Sequence, residues 1–285
     1  MMSANLSLAA MRRDEADILT RWAADEGWNP GKADVAIAWD TDPDAFIALR
    51  RGSELVGGGT IFSYSGAFGF MGLFIVRRDL RGGGLGAQLW RHRLDHLRSR
   101  LAPGASIGMD GVFDMVPFYQ RGGFALAHKD IRFQGIASGV MDRDVHRLDP
   151  PSFAVVDHFD RPHFPAPRSP FLQRWIFQEG AFAMGLFEKE QLAGYGVARP
   201  ALAGYKIGPL FAARADIAER LFTSLMAQIS GTQVQIDVPE PNESGIRLAQ
   251  ASGFKEVFGC ARMYQGAMPK LPLPRIFGVT SFEFG

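Results

Sequence analysis

Apolar and polar positions change rhythm repeatedly along this 285-residue chain. Ala87, Trp90, Leu94, Leu97 and Leu101 recur at the three- and four-residue steps of a helix that buries one stripe. Just before them, Leu73-Phe74-Ile75-Val76 is a continuous apolar run of the kind a buried strand shows, and the stretch between, Arg77 to Gly86, is basic and glycine-rich. Read the same way from the start, the chain predicts a strand near Leu6 to Met11, a helix from Asp14, a loop at Gly27 to Gly31 and a short helix near Asp34. Three strands, the helix after Gly86, a strand at Ser106 to Asp110, a short helix and a closing strand through Ile131-Arg132-Phe133 follow.

The pattern then repeats. Ala45-Phe46 and Glu54-Leu55-Val56-Gly57-Gly58-Gly59 correspond to Ala181-Phe182 and Gln191-Leu192-Ala193-Gly194-Tyr195-Gly196. Ser106 to Asp110 matches Gln233 to Asp237, and each copy closes on Gly-Phe, at Gly123-Phe124 and Gly253-Phe254. The chain therefore reads as two copies of one fold, residues 1–139 and 140–285, joined by a polar, proline-bearing linker around Ser138 to Ser152.

Composition bounds the function. Hydrophobic residues make up 47% and aromatics 12%, enough for sizeable cores, while 31 Lys and Arg against 30 Asp and Glu give no global basic field for nucleic acid. The single Cys260 excludes an intramolecular disulfide and reads as a small buried hydrophobe. His92 and His96 stand four apart on the predicted helix, but no third ligand accompanies them, so no metal is expected. Met1 to Arg13 lacks the basic region and apolar core of a secretory signal, and no apolar run is long enough to span a membrane; the expected location is the cytoplasm, and the oligomeric state is left open.

The glycine-rich turn carries the chemistry. The first N–H groups of a helix lack partners and its dipole is positive there, so that end holds an anion, and glycines let the ligand approach the backbone. Three patterns compete. A P-loop needs Lys then Ser or Thr after its last glycine, and here Gly86 is followed by Ala87-Gln88. The dinucleotide fingerprint is met in part by Gly82, Gly84 and Ala87, but several strands precede it and the nearest suitable acid, Asp110, lies too far downstream. The pattern R/Q-x-x-G-x-G/A is met at each defined position by Arg81, Gly84 and Gly86, which resembles the acyl-CoA pyrophosphate loop of the GNAT acyltransferases. Pro117-Phe118-Tyr119-Gln120-Arg121-Gly122-Gly123-Phe124 resembles the same family's later motif, a short helix carrying Tyr and ending at Gly-Phe.

The resemblance implies an α/β (α+β) protein of two tandem GNAT-like domains, each a mixed, mostly antiparallel central sheet flanked by helices. The second copy is divergent: Lys206 to Asp216 has no glycine loop and carries Pro209, and Ala249 stands where Tyr119 would. It further implies an acyl-CoA co-substrate, acetyl-CoA being expected, held by Phe74, Ile75, Val76, Arg81, Gly82, Gly83, Gly84, Leu85, Gly86 and Ala87, with Arg77 nearby and Arg91 and Arg93 on the surface. The implied activity is N-acyl transfer to a small amine or amino-acid-like acceptor by direct attack on the thioester. Backbone N–H groups at Leu73 to Val76 would stabilise the oxyanion and Tyr119 would protonate the departing thiolate, since a phenol of pKa about 10 matches a thiolate of similar basicity. Asp110, with Asp114 behind it, is the candidate base, against ordinary loop capping for each. Trp28 and Asn29, from the loop that shapes the acceptor site in the family, and Asp237 and Asn242 are candidate acceptor contacts; capping competes for the last two, and Tyr205 and Tyr264 read as core or interface aromatics. Because the strand before Arg77 holds no carboxylate and the second copy is degenerate, the competing class is a non-catalytic CoA-binding sensor or assembly module.

Overall fold

Among the described residues thirteen strands join into one continuous sheet, and helices cover both of its faces. The computed structural model describes residues 5–285, so the first four positions of the N-terminal stretch read above lie outside the described residues. The first half runs β1 (Leu6–Ala10), α1 (Arg13–Asp25), α2 (Asp34–Thr41), β2 (Phe46–Arg51), β3 (Glu54–Tyr64), β4 (Phe68–Val76), α3 (Leu85–Ser99), β5 (Ser106–Gly111), α4 (Val116–Arg121) and β6 (Ala125–Ile136). The second runs β7 (Val145–Arg147), α5 (Phe153–Asp160), α6 (Ser169–Ile176), β8 (Phe182–Glu188), β9 (Gln191–Pro200), β10 (Tyr205–Ala212), α7 (Ala215–Gln228), β11 (Gln233–Pro239), α8 (Glu243–Ala251), β12 (Lys255–Gln265) and β13 (Ile276–Gly278).

The period of two along β2 shows how the layers form. Phe46 and Ala48 point into the core under α1 and α2, while Ile47 and Leu49 point to the opposite core, where Leu89, Trp90, Leu94 and Leu97 of α3 meet them. The predicted elements of the first half are all present. The stretch read as a linker, Ser138 to Ser152, contains the short strand β7, which pairs with β8. Three residues give no readable alternation, so only the partner strand reveals it.

The strand order is β1-β2-β3-β4-β5-β12-β6-β11-β10-β9-β8-β7, with β13 against β10. The closing strand of each half is thus exchanged: β12 pairs with β5, and β6 pairs with β11. Buried ion pairs cross the seam, Arg262 to Asp110 at 2.7 Å between β12 and β5, and Arg132 to Asp237 at 2.6 Å between β6 and β11. A third, Arg199 to Asp34 at 2.9 Å, ties β9 to α2. Removing one partner of such a pair leaves a buried charge and costs about 3–5 kcal/mol, so the two halves are held in one register.

Each half also contains a parallel pair that separates after a few residues. β4 lies beside β5 only from Phe68 to Met71, and β10 beside β11 only from Tyr205 to Ile207. The residue next after each pairing is a glycine, Gly72 and Gly208. In the second half the wedge is filled by β13, whose Gly278 and Ile276 lie opposite Leu210 and Phe211. In the first half the wedge is a cavity of about 390 Å³.

Candidate active site

The loop between β4 and α3 has the conformation that its glycines allow. Gly82 and Gly84 both have positive φ, 84° and 82°, and a β-carbon at either would meet nothing within 4 Å, so the space in front of the backbone is open. Gly84 is the residue before α3, and the first bond of the helix runs from the Gln88 N–H to the Gly84 carbonyl at 3.3 Å. From Gly82 to Ala87 the N–H groups have no acceptor among the described residues. Six backbone donors at the positive end of a helix suit a diphosphate in both number and sign, so the residues fit the group expected there. Gly82, Gly83 and Gly84 carry no side chain that would fill the cradle.

Arg81 braces this turn. Its Nε donates to the Val76 carbonyl at 2.9 Å and its Nη2 to Glu26 at 2.7 Å, so it ties the end of β4 to the loop after α1. The Arg81 hydrogen bond, helped by Arg78, holds the Glu26 carboxyl below its ordinary pKa. Arg77 is engaged elsewhere, between Asp79 at 2.7 Å and Glu54.

Behind the loop, the residues from Met71 to Val76 form one wall of the cavity. The β3–β4 register shifts between Gly58 and Thr60, and Leu73 adopts φ 48°, a β-bulge that turns the backbone of Leu73 and Phe74 out of the ladder. The opposite wall holds Met109, Asp110 and Val112; the floor holds Trp90, Arg93 and Tyr119; and Trp28, Phe258, Cys260, Phe282 and Glu283 close the far side. Phe74, Ile75, Val76, Arg81, Gly82 and Gly86 therefore converge with Tyr119, Asp110 and Trp28, while Gly83, Gly84, Leu85 and Ala87 complete the loop beside them.

Tyr119 lies against Trp90, ring centroids 5.0 Å apart, and its hydroxyl has no hydrogen-bond partner among the described residues. Burial pushes its pKa well above that of a free phenol, so the group stays protonated at neutral pH and is a weaker acid than the match to a thiolate expected from the sequence. Gly111 makes room for it, since a β-carbon there would lie 2.4 Å from the ring. Asp110 faces the cavity with both oxygens on Arg262, each at 2.7 Å. Burial pushes its carboxyl well above the usual range, and Asp130, 3.5 Å from the same guanidinium, adds to that push, while Arg262 opposes it. Asp114 is exposed on the turn before α4. The Cys260 thiol is raised by burial and is no thiolate nucleophile.

Three of the candidate acceptor contacts are drawn into the frame. Asn29 donates to the Ala203 carbonyl and Gln235 Oε1, both at 3.1 Å, and so ties the first half to the second. Asp237 accepts from Nε and Nη2 of Arg132, at 2.6 and 2.8 Å. Asn242 caps α8 by accepting from the Gly245 N–H at 3.0 Å and donates to the Ile276 carbonyl at 2.8 Å. None of the three borders the cavity. His92 and His96 stand with ring centroids 6.0 Å apart, and no group of three or more ligating side chains forms around them among the described residues. No helix among these residues is long and apolar enough to cross a membrane.

Comparison with known proteins agrees with this geometry. Residues 9–124 match the acetyltransferase (GNAT) family and residues 156–278 the acetyltransferase (GNAT) domain. The chain is a tandem member of the GNAT family. It is 28% identical over 275 residues to a holothin acyltransferase of Pseudoalteromonas sp. (strain SANK 73390), a match covering 95% of this chain and 92% of that protein. A crystal structure of a candidate acetyltransferase from Pyrococcus horikoshii superposes with a TM-score of 0.83 at 20% identity, covering 100% and 97% of the two chains. A tandem GNAT protein from the clavulanic acid biosynthesis pathway superposes with a TM-score of 0.66 at 14% identity, covering 93% and 100%. At these identities the two structures bear on fold alone.

The GNAT site contains residues that the sequence reading placed elsewhere or passed over. Arg93, expected on the surface, is fully buried: its Nη2 donates to the carbonyls of Thr60 and Gly72, both at 2.6 Å, while Nε and Nη1 have no partner among the described residues. Burial lowers its pKa to about 9. A signal was available, since Arg93 falls three residues after Trp90 and four before Leu97, inside the apolar stripe. Glu283 and Phe282 reach the cavity from the far end of the chain, where only a Phe-Glu-Phe alternation marks them.

Trp28 is held from behind. Its carbonyl accepts from Arg132 Nη1 at 2.8 Å and from Lys206 Nζ at 3.1 Å. Burial lowers the Lys206 pKa to about 8, below the 10.5 of a free lysine. Between those two values the unfolded chain binds more protons than the folded one, so Lys206 makes the fold gain stability as pH rises through that window. Lys206→Met removes the cost of burying the charge. It is expected to be more stable than wild type at pH 7, by at most about 3 kcal/mol, the ceiling set by the size of the shift. Urea unfolding midpoints of both proteins at pH 7, 8.5 and 10 check this: the gap between them should narrow as pH rises.

Proposed function

We propose that this GNAT chain transfers an acyl group, acetyl being the expected one, from acyl-CoA to the amine of a small molecule by direct attack on the thioester. The observation that carries the reading is the open wedge between β4 and β5, set against a loop of unpaired N–H groups at the start of α3. The co-substrate supplies the activated carbonyl and a thiolate leaving group. Gly82 to Ala87 hold its diphosphate, and the bulged backbone at Leu73 and Phe74 offers N–H groups to the carbonyl oxygen as charge develops there. Tyr119, kept protonated by burial, gives its proton to the departing sulfur.

On this reading residues 1–139 form the transferring unit and residues 140–285 a partner that walls the acceptor side, since Phe258, Cys260, Phe282 and Glu283 all line the cavity. A sensor is suggested by a β4 sequence without a carboxylate and by the degenerate second copy, but Glu26, Asp110 and Glu283 border the same cavity from other elements. Thiol release from acetyl-CoA in the presence of a panel of amines tests the function. The Pseudoalteromonas relative is a holothin acyltransferase, which puts holothin first among the acceptors to try. Tight CoA binding with no turnover on any amine would favour the sensor. Tyr119→Phe is expected to lower kcat by roughly 100- to 10,000-fold with acetyl-CoA affinity unchanged, the range for loss of one general acid. Wild-type turnover in that variant would remove Tyr119 from the mechanism.

A further inference from the structure

The C-terminal tail carries a carboxylate into the first wedge that neither the co-substrate loop nor Tyr119 accounts for. Resting on the acyl-transfer reading above, we propose that Glu283 takes the proton of the attacking amine and that the acceptor is a primary amine with an apolar body. The structure distinguishes Glu283 from the two other carboxylates on the cavity. Glu26 is engaged by Arg81 and Arg78, and Asp110 has both oxygens on Arg262. Glu283 has no arginine or lysine within ion-pairing distance among the described residues; its Oε2 accepts from Ser281 Oγ at 2.5 Å, and its Oε1 is unpartnered but not sealed in protein. A base needs a lone pair that no cation already holds, and Glu283 is the one of the three carboxylates that no guanidinium engages among the described residues.

The tail holds this carboxylate in place. Ser281 Oγ also accepts from the Glu283 N–H at 2.9 Å, Arg168 donates to Thr280 Oγ1 at 2.9 Å, Tyr64 donates to the Phe284 carbonyl at 2.5 Å, and the Arg132 guanidinium lies 4.8 Å from the Phe282 ring centre. The same cavity is lined by Trp28, Met109, Phe258 and Phe282, surfaces that suit an apolar body rather than a sugar or a second charge. In the reaction the ammonium gives one proton to Glu283, and the freed lone pair attacks the thioester carbonyl. The C–N bond forms, the C–S bond breaks, and the sulfur takes the Tyr119 proton. The remaining excess proton on nitrogen restores Tyr119, and Glu283 releases its own to water.

The test uses the full-length protein with acetyl-CoA and, as acceptors, 2-phenylethylamine and tryptamine against glucosamine and lysine. The two apolar amines are expected to turn over and the two polar ones not. Glu283→Gln, which can still bond to Ser281, is expected to lower kcat about 100-fold with the acetyl-CoA Kd unchanged, as for loss of a general base. Glu283→Ala is expected to lose as much and to recover turnover when formate is added, a response that a purely structural role would not give. A Glu283→Gln protein with wild-type kcat overturns the assignment, as does an alanine variant that formate does not rescue. Wild-type protein that binds acetyl-CoA yet leaves both apolar amines untouched also overturns it. Absence of acetyl-CoA binding is a separate failure, that of the acyl-transfer reading itself.

Discussion

Gly84→Asp is expected to weaken acetyl-CoA binding by roughly 1,000-fold, about 4 kcal/mol. Two effects add. Gly84 sits at φ 82°, where a side chain costs about 1–2 kcal/mol, so the variant strains the turn or flattens it and misdirects the N–H groups that follow. The new carboxylate also stands where the backbone donors and the dipole of α3 converge, and it repels the diphosphate that they attract. Gly84→Ala separates the two effects. A β-carbon at this position meets nothing within 4 Å, so alanine adds strain without clash or charge and should cost about tenfold or less. Titration calorimetry with acetyl-CoA reads both variants. If the aspartate variant binds with wild-type affinity, the diphosphate lies elsewhere and the cradle is misassigned.

The loop was legible in the sequence because its physics is local. A strand, a run of glycines and a helix start follow one another within about a dozen residues, and each element imposes its own spacing or residue type. Tyr119 was legible for the same reason, on a short helix ended by glycines. The repeat could be read too, because corresponding strands keep corresponding glycines at Gly57 to Gly59 and at Gly194 and Gly196. What could not be read depends on partners far apart in the chain. Nothing in Ala125–Ile136 says that β6 will sit between β12 and β11 rather than beside β5, since either place asks for the same half-buried alternation. Asp237 and Asn29 looked like ligand contacts because polar residues near a strand end or in a loop present themselves that way. Their partners, Arg132 and Ala203, lie about a hundred residues or more away, and only the fold shows them engaged. The same distance hid Glu283, whose burial depends on Gly72, on the other side of the molecule in sequence.

That dependence makes Gly72→Ala the most informative single change in the wedge. A β-carbon on Gly72 would lie 2.0 Å from the Glu283 carbonyl oxygen, 2.8 Å from its carbonyl carbon and 3.0 Å from Thr60 Oγ1. Backbone meets it on the tail side, so no rotamer relieves the clash and the tail must shift. Overfilling a well-packed site of this kind costs about 1–3 kcal/mol. The effect on activity should be larger than that on stability: a displacement on the order of 1 Å at a reacting group lowers rate about 100-fold, and here it moves Glu283 away from the amine while leaving the Gly82 to Ala87 cradle untouched. The expected outcome is therefore a kcat reduced about 100-fold with acetyl-CoA affinity close to wild type, the reverse of the Gly84→Asp pattern. Gly194→Ala is the internal control. It lies buried in β9 of the second half, where a β-carbon would meet Ile217, Leu221 and the Phe211 carbonyl oxygen, each at 2.9 Å, and it should destabilise the fold by a similar amount. Because these residues neither border the cavity nor belong to the tail, its effect on kcat should be the smaller of the two. Equal losses of kcat in the two variants would mean that the tail acts on activity only through stability, and that the position of Glu283 does not matter to the reaction.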